Sequence, residues 1–255
     1  MKLYTAERTN ENDTAENPLL QRLLFAYNEA INYVKGKEVL EIGCGEGYGA
    51  SILSPYSKKY TGIDKYQTPN TENLKGIEFI QMKVPFLKGF NDNTFDVVVS
   101  FQVIEHIKQD DIFISEINRV LKPGGIAILT TPNIEMSVTR NPFHIREYKI
   151  DPFRKLLSTK FDNFDIQGVY GDEFVMDLYQ KNKESVKKFT RFDIFNLQYN
   201  LPLCMLQIPY NIFNRLNRMR LSKSNTSLVS GITVKNYFLK KADNTCLDFF
   251  CILKK

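Results

Sequence analysis

The stretch that most constrains this chain is Val39-Leu40-Glu41-Ile42-Gly43-Cys44-Gly45-Glu46-Gly47-Tyr48-Gly49, followed at once by Ala50-Ser51-Ile52-Leu53. A short apolar run broken by a carboxylate gives way to alternating glycines and then to a helix-compatible segment. That order predicts a strand, a tight turn and a helix N-terminus, the place where α/β sheets hold nucleotide-like ligands. Glycine at every second position lets the backbone take positive φ and leaves no Cβ between chain and ligand.

The pyrophosphate fingerprint is G-x-G-x-x-G, whereas the spacing here is G-x-G-x-G with Glu41 two residues ahead. Two phosphates want no carboxylate at the turn, which counts against a nicotinamide oxidoreductase. A ligand with an amino-acid ammonium wants an acceptor there, and Glu41 supplies one. S-adenosylmethionine carries an ammonium, a carboxylate, a sulfonium and adenosine, and no phosphate. Its ribose calls for an acidic residue closing the next strand. Tyr60-Thr61-Gly62-Ile63-Asp64 ends on Asp64, 17 residues after Gly47.

The remaining pattern predicts alternating strands and helices. Asn17-Pro18 reads as N-cap and first residue of a helix stopped by Gly36. Further strands are expected at Ile77-Glu78-Phe79-Ile80, at Phe95-Asp96-Val97-Val98-Val99-Ser100-Phe101, and at Ile126-Ala127-Ile128-Leu129-Thr130. A helix from Asp110-Asp111 to Leu121 precedes the last of these, ended by Lys122-Pro123-Gly124-Gly125. Beyond a helix at Asp151-Pro152, strands follow at Phe164-Asp165-Ile166-Gln167-Gly168-Val169-Tyr170 and Cys246-Leu247-Asp248-Phe249-Phe250-Cys251-Ile252-Leu253. The expectation is an α/β fold, a doubly wound, mostly parallel sheet of seven strands. Residues 1–36 form a tail and helix, 37–171 the cofactor-binding core, 172–240 a basic helical insertion, and 241–255 the last strand.

Across the 255 residues, 34 Lys and Arg oppose 29 Asp and Glu, and the excess is uneven. Residues 181–255 hold 14 basic and 4 acidic side chains. Such a surface faces solvent or an anionic partner. Within it, Pro209 opens an amphipathic segment with Ile212, Phe213, Leu216 and Met219 on one side. Asn211, Asn214, Arg215 and Arg218 lie on the other. Contact with an anionic or membrane surface through 181–223, a cover over the substrate cleft, and a dimer contact all read alike. Residues 1–17 have no apolar run of a signal peptide, and no stretch is long enough to span a bilayer. The cysteines Cys44, Cys204, Cys246 and Cys251 show no metal spacing, which suits reduced thiols in the cytoplasm.

Taken together, Val39–Gly49, Asp64, the Phe95–Ser100 strand, Leu121-Lys122-Pro123-Gly124-Gly125 and Thr131-Pro132-Asn133 resemble the class I S-adenosylmethionine-dependent methyltransferases. The nearest group is the small bacterial methyltransferase domains allied to ubiquinone-biosynthesis O-methyltransferases. Glu7-Arg8 resembles an element that precedes this domain. The resemblance implies a Rossmann-like sheet of seven strands, the last antiparallel. It places the methionine end of the cofactor on Glu41, Gly43, Gly45 and Gly47, and the ribose on Asp64. The adenine falls beside Met82-Lys83-Val84, where the family's usual acidic residue is absent. Cys44 and Gln102 join this cofactor set, with Tyr48 and Phe101 as aromatic contacts for the sulfonium or adenine.

Methyl transfer to an alcohol needs the acceptor's proton removed, by a base or with a metal's help. The only histidines are His106 and His144, following the fourth and fifth strands. If those strands are neighbours, both rings reach the cofactor's edge of the sheet. His144 and His106 are therefore the candidate bases, with Glu105 orienting. Gln102, Glu105 and His106 are spaced for one face of a helix turn. With His144 they resemble the metal set of small-RNA 3′-terminal 2′-O-methyltransferases, but Gln102 replaces a glutamate, and a neutral amide is a poor ligand for a hard cation. The expected reaction is O-methylation of a small molecule, sugar or glycan-lipid intermediate, with no metal. The alternatives are metal-assisted RNA 2′-O-methylation, for which no RNA-binding module is visible, and a cofactor-binding module without catalysis.

Overall fold

In the computed structural model, residues 14–66, 76–191 and 197–255 are described. The strands are β1 (Glu38–Ile42), β2 (Lys59–Asp64), β3 (Ile77–Gln81), β4 (Phe95–Phe101), β5 (Leu121–Pro132), β6 (Asn163–Gly171), β7 (Tyr237–Lys241) and β8 (Asp248–Lys254). They form one sheet in the order β3-β2-β1-β4-β5-β8-β6-β7. β1 to β5 run parallel, and β8 enters antiparallel between β5 and β6.

The helices are α1 (Asn17–Val34), α2 (Tyr48–Leu53), α3 (Asp110–Val120), α4 (Ile150–Leu157), α5 (Glu173–Thr190), α6 (Leu197–Asn200), α7 (Leu203–Ser224) and α8 (Thr226–Gly231). The central strands carry apolar residues without polar alternation because both faces are covered. Val39, Val97, Val99 and Phe250 pack with Phe25, Ala30 and Val34 of α1. Leu40, Val98 and Phe249 pack on the opposite face with Phe113 and Ile117 of α3 and Phe153 of α4. Glu41 alternates with Leu40 and Ile42, so its side chain belongs to the face that α1 covers.

Three expectations are corrected. The sheet has eight strands among the described residues, not seven: Tyr237–Lys241, which straddles the expected boundary between the 172–240 insertion and the last strand, pairs antiparallel with β6. This short edge strand exposes two lysines, which blunt the edge and hide its strand pattern from a periodicity reading. Asn17 is not the cap of α1, because Glu16 holds that position. The Asn17 amide instead donates to Val229 O and Ile232 O at 2.7 and 2.9 Å, tying α1 to the end of α8. Pro209 lies inside α7, which begins at Leu203. The tail element at 4–8 and the loop at 67–75 lie outside the described residues. No helix among the described residues is long and apolar enough to cross a membrane.

Candidate functional site

Carboxyl ends of parallel strands open on one edge of a sheet, so the turns there share a space. β1 delivers the glycine turn to this edge, β2 Asp64, β4 Phe101 and Gln102, and β5 Asn133. Because β8 is antiparallel, its first residue, Asp248, reaches the same edge opposite Pro132. A cleft of about 1180 Å³ follows the edge. A drug-sized ligand takes roughly 300–1,000 Å³, so this volume holds a cofactor and an acceptor together.

Gly43, Gly45 and Gly47 have φ of 80, 51 and 88°. Gly43 N and Cys44 N both donate to Ile63 O, at 2.7 and 3.1 Å. Gly45 N donates to Asp64 Oδ2 at 3.0 Å, so the turn and the ribose candidate form one unit. Gly43, Cys44, Gly45, Tyr48, Asp64, Met82, Phe101 and Gln102 all line the cleft. Gly47 is set behind them as the N-cap of α2. Tyr27 and Phe101 meet edge to face at 4.8 Å in the cleft wall.

Glu41 lies beneath the turn and is only 1% exposed. Tyr27 Oη donates to its Oε1 at 2.5 Å, while the buried Oε2 has no hydrogen-bond partner. A Cβ on Gly49 would collide with both carboxylate oxygens and the Tyr27 ring, so this helical position has to be glycine. Burial pushes the Glu41 carboxyl up to about 7, Tyr27 opposes the rise and Asp64 adds to it. An unsatisfied buried acceptor under a glycine turn, with an acid closing the next strand, suits an ammonium and a ribose. The donor set fits S-adenosylmethionine. At Met82-Lys83-Val84, which also line the cleft, no acidic side chain is present.

The candidate bases come together at the neighbouring end of the cleft. Adjacency of β4 and β5 brings their following loops side by side. The 144–146 loop is fastened by Ile145 N and Arg146 N, which donate to Glu105 O at 2.8 and 3.2 Å. The rings of His106 and His144 then meet edge to face, 4.8 Å between centroids. One ligand atom from each of Glu105, His106 and His144 lies within 4.8 Å of the others. Gln102 does not share a helix face with them. Its φ is +57°, the 3₁₀ turn spans only Ile104–His106, and its amide donates to Thr130 Oγ1 at 3.4 Å.

Protons in this cluster are placed by the partners. His106 Nδ1 contacts Phe143 O at 2.9 Å. A carbonyl only accepts, so Nδ1 carries the hydrogen and Nε2 is the basic nitrogen of the neutral ring. His144 is held from both sides, Nδ1 by Glu147 Oε1 at 2.6 Å and Nε2 by Asn141 Nδ2 at 2.9 Å. Burial tends to raise the Glu147 carboxyl, but hydrogen bonds from His144 and Ser137 hold it below its ordinary value. Burial pushes Glu105 up to about 7, against His144 and a hydrogen bond from Thr131. Its Oε2 accepts that Thr131 bond at 3.0 Å, and its buried Oε1 has no partner.

Helices α5 and α7 complete the cleft. Tyr179, Val186, Leu206, Tyr210 and Phe213 give this side an apolar lining, with Asn214, Asn217 and Arg218 among them. Asn217 fixes the helix pair by accepting from Ser185 Oγ at 2.6 Å and donating to Asn182 Oδ1 at 2.7 Å.

Tyr27, Glu147, Asn141 and the pair of half-buried Arg22 with buried Asp248 are not marked by the sequence patterning. Glu147 stands three residues after His144, a spacing that was available as a signal. Nothing local marks Arg22, whose Nε reaches Asp248 Oδ2 at 3.0 Å across the fold.

The methyltransferase domain family matches residues 40–129, from β1 into β5. The chain is similar to a Mycolicibacterium smegmatis protein named "Probable S-adenosylmethionine-dependent methyltransferase", 34% identical over 197 residues that cover 71% of this chain and 74% of the relative. It is also similar to a fatty-acid O-methyltransferase of Mycolicibacterium smegmatis, 33% identical over 52% of this chain and 49% of the relative. A ubiquinone biosynthesis O-methyltransferase of Rickettsia bellii is 31% identical over 46% of this chain and 49% of its own length. The YcgJ protein of Bacillus subtilis shares the fold, with a TM-score of 0.55 at 16% identity over 91% of this chain and 98% of its own.

Proposed function

Because this chain belongs to the S-adenosylmethionine-dependent methyltransferases, we propose that it methylates an oxygen of an acceptor with an apolar body, in the cytoplasm. The observation that carries this reading is the cluster Glu105, His106 and His144 in the same cleft as the glycine turn and Asp64. The apolar lining from α5 and α7 favours a lipid-linked acceptor over a free sugar. Two relatives whose printed names are O-methyltransferases agree with oxygen as the acceptor atom.

When bound, S-adenosylmethionine supplies a methyl group on a positively charged sulfur. Glu41, Gly43, Gly45 and Gly47 would hold its amino-acid end, Asp64 its ribose, and Met82 with its neighbours its adenine. An acceptor hydroxyl in this cleft would give its proton to His106 Nε2. His106 is then an imidazolium, stabilised by the Glu105 carboxylate, and Glu147 keeps the His144 ring in place beside it. The apolar side chains of α5 and α7 would hold the body of the acceptor and orient its oxygen.

The experiment is transfer of radiolabelled methyl groups into lysate fractions of lipid, glycan, RNA and protein. Label is expected in the lipid or glycan fraction. Label confined to RNA or protein overturns the reading. On the acceptor so found, His106→Ala lowers kcat by about 10²–10⁴-fold, with S-adenosylhomocysteine affinity unchanged. The approach of Glu105, His106 and His144 also favours a second reading, a cation-assisted reaction. Loss of turnover in chelator, restored by magnesium or manganese, would make these residues ligands instead of proton acceptors.

A further inference from the structure

Helix α7 carries apolar residues on two faces. Leu206 and Tyr210 line the cleft with the polar Asn214, Asn217 and Arg218, and a second apolar set faces outward. Met205, Ile208, Ile212, Leu216 and Met219 are between 42 and 72% exposed. At about 100° per residue, Met205, Ile208, Ile212, Leu216 and Met219 fall on one continuous stripe. Arg215 borders it on one side and Arg220 on the other, and Lys223 closes its C-terminal end. The helix contains no Asp or Glu. At 1.5 Å per residue the stripe is roughly 20 Å long.

An exposed apolar stripe of this size marks a contact surface. Its basic borders select the occupant. A second copy of the same face brings no counter-charge to Arg215, Arg220 or Lys223, whereas lipid phosphates bring one to each. We propose that α7 docks on a bilayer containing anionic phospholipids, lying in the plane of the headgroups with its stripe among the acyl chains. A shallow hollow walled by Leu216, Met219, Arg220, Lys223 and Ser224 offers a headgroup a seat with an apolar floor and two cations. The opposite side of the helix then hangs the cleft over the membrane, where an acceptor with an apolar body is concentrated. The docking face uses no residue of the proton-accepting cluster, so it stands or falls separately from the reading of the reaction.

The test is co-sedimentation of the whole protein with vesicles of phosphatidylcholine alone or of equimolar phosphatidylcholine and phosphatidylglycerol. Binding to the phosphatidylglycerol vesicles is expected, at least about tenfold tighter than to phosphatidylcholine and weakened by salt. Ile208→Asp with Ile212→Asp, and separately Arg215→Glu with Arg220→Glu, should each weaken binding at least about tenfold. Both variants should keep the wild-type Tm and S-adenosylhomocysteine affinity. Absence of binding to phosphatidylglycerol vesicles overturns the proposal, as does undiminished binding by the Asp variant. So does a vesicle-free dimer that the Asp variant converts to monomer, which would make the stripe an interface between copies.

Discussion

Glu41 and Glu105 are carboxyls that the fold withdraws from water, and burial raises both to about 7 against an ordinary 4.5. The folded protein therefore favours their neutral forms more than the unfolded chain does. Their favourable contribution is complete at low pH and is lost as pH rises from about 4.5 to about 7. In the absence of cofactor, Tm should fall over that window. Glu105→Gln should flatten the fall, and differential scanning calorimetry across the range reads it directly. A slope as steep in the variant would show that Glu105 does not titrate there. The same two residues differ in how far the sequence revealed them. Glu41 was visible as a carboxylate ahead of a glycine turn, but its burial under Tyr27 depends on a helix that ends before β1 begins. Glu105 was read as an orienting group, whereas Glu147 makes the direct bond to His144. That bond is local, three residues apart, whereas the placing of His144 beside His106 needs the 144–146 loop clasped against Glu105 O, a contact between two loops that no spacing encodes.

On the proposed reading, acceptor choice falls to the elements that line the far side of the cleft, α5 and α7, joined through Asn217. This side chain is 7% exposed and satisfied by Ser185 and Asn182. Asn217→Leu strands two partly buried polar groups, a cost of about 1–3 kcal/mol each where desolvation is complete. The expected result is a loosened helix pair, with KM for the acceptor raised several-fold and S-adenosylhomocysteine affinity unchanged. Equal loss of both affinities would mean that α7 supports the cofactor groove as well. The amphipathic pattern of α7 was legible in its residues. Which face turned inward was not, because the hydrogen-bonding asparagines and the apolar stripe each make a plausible inner face. Only the polar groups of α5 settle the orientation.

At the scale of the molecule, Arg22 of α1 and Asp248 of β8 close the fold across the cleft. Asp248 has a side-chain exposure of 4% against 23% for Arg22, and burial raises its carboxyl despite the guanidinium. Removing one partner from such a pair leaves a buried charge and costs about 3–5 kcal/mol. Arg22→Met should therefore lower Tm strongly at neutral pH and progressively less as pH falls, because burial raises the Asp248 carboxyl and its protonation removes the stranded charge. A pH-independent loss, measured by thermal unfolding, would show that the packing of Arg22 and not its charge is what matters. The chain alone determined the parallel core, the glycine turn and Asp64, because each rests on local backbone chemistry and short-range apolar pattern. The tertiary structure alone decided the eighth strand, the contact of His106 with Phe143 O and with the His144 ring, the Arg22–Asp248 pair and the outward stripe of α7. Each of these is a contact between segments distant in sequence, selected by which surfaces remain to be covered once the sheet has formed.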